Sequence, residues 1–265
     1  MRSKPGVFGQ FVTPRSGLSG VAAPAFIPSD LFGADDFGDW WDFRTADGLF
    51  QDTSGATPVE NLDPVGLAIG RLGNLSPSQS TTSSKPLWMD GSLSPDNSGS
   101  TNIKTLFDRF RVDNEPSSGN GVSVFLVYRE GSVSPGSYRT YFGIHSATSH
   151  TVTVGAQYAQ VRGDNNRPIS FLKGEVAFHD FEDNVIIPQW SCVTWDGESA
   201  TQKLYWSRSP DVVSADIGTV EGYRTVSFQA DERSGGVGQI VGAIVIERDL
   251  SPEEIEMIAS YYGEF

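Results

Sequence analysis

From about residue 103 onward the chain is a series of short β-rich runs separated by turn residues. VSVFLVYRE (122–130), YRTYFGIHS (138–146), TVTVGAQYAQVR (151–162), PISFLK (168–173) and EVAFHDF (175–181) come first. QWSCVTWD (189–196), QKLYWSR (202–208), TVSFQA (225–230) and QIVGAIVIER (239–248) follow. Clusters of Gly, Asp, Asn, Ser or Pro divide most of them, and no helical pattern intervenes. Such spacing leaves an antiparallel sandwich or barrel as the available architecture. With 265 residues the chain buries enough surface to need no covalent staple. The single cysteine, Cys192, forms no internal disulfide and lies in an alternating run with Trp190 and Trp195, where a buried strand thiol is expected rather than a nucleophile.

One helix is expected, at the end. In LSPEEIEMIASYY, Ser251 is a helix N-cap, Pro252 takes the first helical position and Glu254 completes a capping box. Ile255, Ile258, Ala259 and Tyr262 then share one face, which would close against the sandwich.

The first 38 residues differ in kind. They are rich in Gly, Pro and Ser, and carry Arg2, Lys4 and Arg15 with no acid before Asp30. Such a stretch builds no core of its own. Its apolar residues, Val7, Phe8, Phe11, Val12, Phe26 and Ile27, suggest an arm that orders against a neighbour, with a disordered tail as the other reading. The division expected is therefore an arm over 1–38 and a sandwich over 39–265. Residues 76–101 read as a Ser-, Thr- and Pro-rich loop with a short strand at PLWM.

The net charge of −14 argues against free nucleic acid and against an anionic membrane as partners, since both are held by clustered Lys and Arg. No apolar run is long enough to span a bilayer as a helix. The opening residues lack an apolar core and cleavage site, so no signal peptide is expected.

Candidate chemistry is sparse. Asp35, Asp36, Asp39 and Asp42 offer oxygen ligands for calcium, without the spacing of a helix-loop-helix site; a solvated acidic turn before a strand is the preferred reading. In KGEVAFHDFEDN, Asp180 and Glu182 share a strand face, but the paired carboxylates of polysaccharide hydrolysis are not patterned as a motif. His145, His150 and His179 show no zinc spacing. There is no Gly-x-Ser-x-Gly elbow and no phosphate loop. No enzyme is expected and no cofactor beyond a calcium ion. Sugar recognition fares better, because sugars present apolar C–H faces and hydroxyls. Asp164, Asn165 and Asn166 in the RGDNNRP loop, with Trp88, Trp206 and Tyr223 as aromatic platforms, are the candidate glycan-binding residues. A plain hairpin turn and ordinary packing of the rings are the competing readings.

Two stretches together carry a resemblance. DGESATQKLYWSR (196–208) and GGVGQIVGAIVIERDLSPEEIEMIASYY (235–262) resemble the concanavalin A-like (laminin-G-like) jelly-roll superfamily, whose last strand runs into a similar helix. WWDFRTADGLFQDTSGATPVENLDPVGLAIGRLGN (40–74) resembles the opening of bacteriophage and prophage structural proteins of that fold. The segment that should follow is at best LFDRFRVDN (106–114), and an Asn-His expected after Gly73-Asn74 is missing. The resemblance implies an all-β concanavalin A-like jelly roll with an N-terminal arm and a short C-terminal helix. It implies a virion structural protein, of tail, fibre or head surface, made in the host cytoplasm. Other virion proteins, further copies of the chain and host surface glycans are the partners implied. A free lectin-like module and a polysaccharide-degrading enzyme are the alternatives. Within the opening stretch, Trp40, Trp41 and Phe43 read as strand residues with at least one buried ring, and Asp47-Gly48 and Ser54-Gly55 as turns.

Overall fold

The computed structural model describes residues 25–94, 106–109, 121–129, 138–145, 157–162, 167–171, 189–196, 199, 201–207, 212–216, 225–228 and 239–263. In chain order the strands are β1 (Gly38–Asp42), β2 (Leu49–Phe50), β3 (Leu67–Ala68), β4 (Leu87–Trp88), β5 (Leu93–Ser94), β6 (Leu106–Arg109), β7 (Val122–Arg129) and β8 (Tyr138–His145). They continue as β9 (Gln157–Arg162), β10 (Arg167–Phe171), β11 (Gln189–Asp196), β12 (Thr201–Trp206), β13 (Val213–Asp216), β14 (Thr225–Phe228) and β15 (Gln239–Ile246), and α1 (Pro252–Tyr262) ends the series. The expected all-β sandwich with one short helix is the observed one. Among the described residues, one sheet runs β13-β12-β11-β7-β15-β5-β4 with β1 also paired to β15, a second runs β10-β9-β8-β14-β6, and β2-β3 forms a small ribbon. Every strand pairing described is antiparallel.

The larger sheet is covered on both faces, which explains why its central strands are apolar almost without alternation. Along β7, Val122, Val124, Leu126 and Tyr128 join the core that also holds Val226 and Phe228 of the second sheet. Phe125 and Val127 point the other way, into a second core beneath α1, as the two-residue period of a strand requires. β15 does the same, with one bulge between Ile240 and Gly242. The bulge shifts parity, so Ile240, Ala243 and Val245 face the inter-sheet core while Val241, Ile244 and Ile246 face the helix. β1 splits its aromatic pair between the two cores. Trp41 packs edge-on against Phe228 at 4.9 Å, and Trp40 lies under the helix, edge-on to Tyr261 at 5.9 Å. Both indoles are buried.

The helix forms as its end signals require. Ser251 Oγ accepts the Glu254 N–H, and the Glu254 carboxylate accepts the Ser251 N–H in return. Ile255, Ile258 and Tyr262 are buried, with Ala259 packed beside them. Tyr262 reaches the sheet itself: its hydroxyl donates to the Trp41 carbonyl at 3.0 Å. That approach needs Gly242, because a Cβ there would overlap the Tyr262 ring.

One expectation is corrected in part. Asp35 is exposed in a turn, as expected for a solvated acid, but Asp39 and Asp42 are buried. Asp39 is fully buried and accepts the backbone N–H groups of Trp40, Leu72, Asn74 and Leu75 at 2.8–2.9 Å. It pins the Gly70–Leu75 loop, where Gly70 leaves room for the carboxylate. Asp42 is paired with Arg44 at 2.8 Å and accepts the Tyr261 hydroxyl at 3.1 Å. Of the expected arm over 1–38, residues 25–38 are described. Pro28–Leu31 is a 3₁₀ turn, and Leu31, Phe26 and Phe32 belong to the core beneath α1. Phe26, expected to face a neighbour, packs on its own chain, while Ile27 is 46% exposed. Val7, Phe8, Phe11 and Val12 lie outside the described residues, as do the acids Glu175, Asp180 and Glu182.

Arg248 ties this outer layer together. Its guanidinium pairs with Asp36 at 3.1 Å and Glu254 at 2.7 Å and donates to the Leu31 carbonyl at 2.8 Å. Burial alone would raise the carboxyls of Glu254 and Asp42, but hydrogen bonds and the adjacent guanidiniums hold both below their ordinary values of 4.5 and 3.8. Groups shifted down contribute stability above their unfolded values and lose it as the folded form is protonated. Stability should therefore fall as pH drops below about 4.5, and the fall should be shallower in Arg248→Met, as read by urea unfolding across pH 2.5–7. Gly242→Ala should lower stability by about 1–3 kcal/mol through overpacking against Tyr262, read by the shift in denaturation midpoint.

Candidate functional site

The sequence-derived glycan residues scatter. Asp164, Asn165, Asn166 and Tyr223 lie outside the described residues; the pairing of Arg162 with Arg167 shows only that residues 163–166 link a hairpin. Trp206 is 5% exposed, inside the inter-sheet core, so it presents no platform. Trp88, the other described one, is only partly buried.

Trp88 sits where two loops meet. β4 and β5 are joined by Met89–Ser92, and the two central residues, Asp90 and Gly91, have φ of 48° and 74°. This is the mirror-image hairpin turn that Asp-Gly favours, closed by Met89 and Ser92 exchanging backbone hydrogen bonds at 2.9 and 3.1 Å. The Asp-Gly pair was readable in the sequence beside the PLWM strand as a hairpin signal. The second loop, Glu60–Asp63, lies alongside. Its Leu62 N–H donates to the Trp88 carbonyl at 2.8 Å and the Trp88 N–H donates to the Asp63 carbonyl at 3.0 Å. Asn61 binds Asp90 across the gap: the Asp90 N–H donates to Asn61 Oδ1 at 3.0 Å, and Asn61 Nδ2 reaches Asp90 Oδ1 at 3.4 Å. Asp63 is held by the Glu60 N–H at 2.9 Å and by Gln51 Nε2 at 2.8 Å. The indole of Trp88 is fixed from below, its N–H donating to the Phe43 carbonyl at 2.8 Å.

Leu62 is the anomaly. Its φ is 74°, at a turn position that ordinarily takes Gly or Asn. A branched side chain in that conformation costs about 1–2 kcal/mol, and nothing in the core repays it, because Leu62 is 58% exposed. Strain of this kind collects at ligand-contacting sites. The result is an exposed aliphatic side chain on a loop whose backbone is bonded to that of the half-buried Trp88 and whose Asn61 is bonded to Asp90. Such a surface meets both an apolar face and hydroxyl groups. No sequence signal pointed to Leu62, since its φ depends on how the loop is tethered to β4.

Among the described residues, no three His, Cys, Asp or Glu side chains converge to hold a metal ion. Cys192 is buried, and burial pushes its thiol well above the ordinary value, as expected for a strand thiol under the helix. No described helix is long and apolar enough to cross a membrane.

No family model matches the chain, and no curated protein sequence matches it. Among solved structures it is similar to a sialidase of Trypanosoma rangeli, with TM-score 0.54 and 8% identity over 85% of this chain and 32% of the sialidase. The same sialidase in complex with 2,3-difluoro-KDN gives TM-score 0.51 and 9% identity, over 83% of this chain and 32% of the other. A Lotus tetragonolobus seed lectin gives TM-score 0.45 and 11% identity, covering 62% of this chain and 90% of the lectin. The chain thus spans about a third of the sialidase's length, and the likeness is one of fold.

Leu62→Gly should raise stability by about 0.5–1 kcal/mol by relieving the backbone while removing little buried surface, measured by urea denaturation.

Proposed function

We propose that the chain is a glycan-recognition module of a phage virion structural protein, borne on tail, fibre or head surface. The observation that carries glycan recognition is the surface built from Leu62, Trp88, Asn61 and Asp90, where an exposed side chain is kept in a strained conformation. The sialidase of similar fold has been solved in complex with 2,3-difluorosialic acid, which supports carbohydrate as the ligand class. The virion role rests on the sequence resemblance of residues 40–74 and on the basic, apolar opening segment of an otherwise acidic chain. Host surface glycan is the ligand, other virion proteins and further copies of the chain are the partners, and the activity is binding rather than cleavage. Any calcium would be held by oxygen groups of the Asp164–Asn166 loop, which lies outside the described residues.

The test uses Leu62→Gly combined with Asp90→Gly. Both positions have positive φ, so glycine suits each and the fold is kept. On an array of bacterial surface polysaccharides, with and without calcium, the parent chain should bind and the double variant should lose about tenfold or more in affinity, near 1.4 kcal/mol. Equal binding by the two would remove this surface as the site. Release of reducing sugar by the parent chain would replace the binding reading with a hydrolase. Failure of the chain to sediment with assembled particles would overturn the virion role.

A further inference from the structure

The outer face of α1 is incompletely covered. A groove of about 660 Å³ runs along it, walled by Phe26 on one side and by Met257, Ser260 and Tyr261 on the other, with Glu253 and Glu256 at its rim. Met257 is 42% exposed, although it sits one turn from residues buried in the core. The groove therefore asks for an occupant that is apolar along its length and basic at its edge.

The chain carries such a segment immediately upstream. Ala25 and Phe26 form part of the groove wall, so residue 24 leaves directly from it. Residues 1–24 hold Val7, Phe8, Phe11 and Val12 with Arg2, Lys4 and Arg15 and no acid, in a chain of net charge −14. We propose that the groove on α1 is the docking site of residues 1–24 of the same chain, with the apolar residues against Met257 and Tyr261 and the basic ones against Glu253 and Glu256. Attachment at the groove's own wall gives the segment a local concentration in the millimolar range, which a second copy reaches only at high protein concentration. Docked there, the segment is withheld from other partners, and its release is what would free it for assembly.

Trypsin supplies the test, because Arg15 is a cleavage site within the segment. The comparison is between the full chain and the full chain carrying Glu253→Lys, Glu256→Lys and Met257→Lys. All three positions are exposed and none belongs to the capping box, so the helix is kept; circular dichroism and the denaturation midpoint verify this. Cleavage after Arg15 should be at least fivefold faster in the variant, the ratio expected from losing about 1 kcal/mol of docking energy. In the parent, protection should be independent of protein concentration. Protection that grows with concentration would assign the groove to a neighbouring copy and overturn the proposal. Equal cleavage of parent and variant would overturn it as well. Neither outcome bears on glycan binding at Leu62, which lies on other loops.

Discussion

The double burial of β7 and β15 is the constraint on which the rest of the molecule depends. Those two strands carry apolar side chains on both faces, and a sheet of that kind is stable only when both faces are covered. The second sheet covers one, and α1 with the 26–32 segment covers the other. The contact that fixes the second cover is small: the Tyr262 ring seated over Gly242, its hydroxyl on the Trp41 carbonyl. The helix, the helix-side face of β15 and the backbone of β1 are thereby set relative to one another. Charged groups then hold the perimeter. Asp42 and Arg44 bind the helix C-terminal end, where the guanidinium also lies 4.8 Å over the Tyr261 ring, while Arg248 binds its start to Asp36.

Much of this was legible in the sequence, for reasons that are local. QWSCVTWD is the strand Gln189–Asp196 to the residue, because alternation and flanking turn residues mark both ends. The capping box at Ser251 and Glu254 and the apolar face of the helix are equally local, and both are present. Asp47-Gly48 and Ser54-Gly55 are turns with the positive φ that glycine permits. The strand at Val213–Asp216 carries no sequence signal: VSAD offers four residues of mixed character, and it is a strand because it pairs with the edge of β12.

What escaped the sequence was set at a distance. Asp39 looks like one acid among four in an aromatic-rich turn. Its role depends on three N–H groups more than thirty residues later, so composition assigned it to solvent. The same is true of the candidate site. Leu62 is an ordinary leucine in a loop until the tether to Trp88 forces its φ positive. Trp206, chosen for its chemistry, was placed in the core by strand parity instead: it shares its face with Leu204.

The pairing of β1 with β15 has a consequence for how the chain is made. Gly38 through Asp42 pair with Gly242 through Ile246, so β1 is synthesised long before the strand it pairs with. Until then, the Trp40–Trp41 strand has one edge open and both rings without their cores. Contacts of such long sequence separation close slowly, and an unpaired apolar edge is prone to pair with another chain. The acids on either side of the tryptophans, Asp39 and Asp42, give the nascent strand charge while it waits. Asp39 then loses solvent to the Gly70–Leu75 loop, whose N–H groups it accepts, and Asp42 to Arg44 and the helix residue Tyr261.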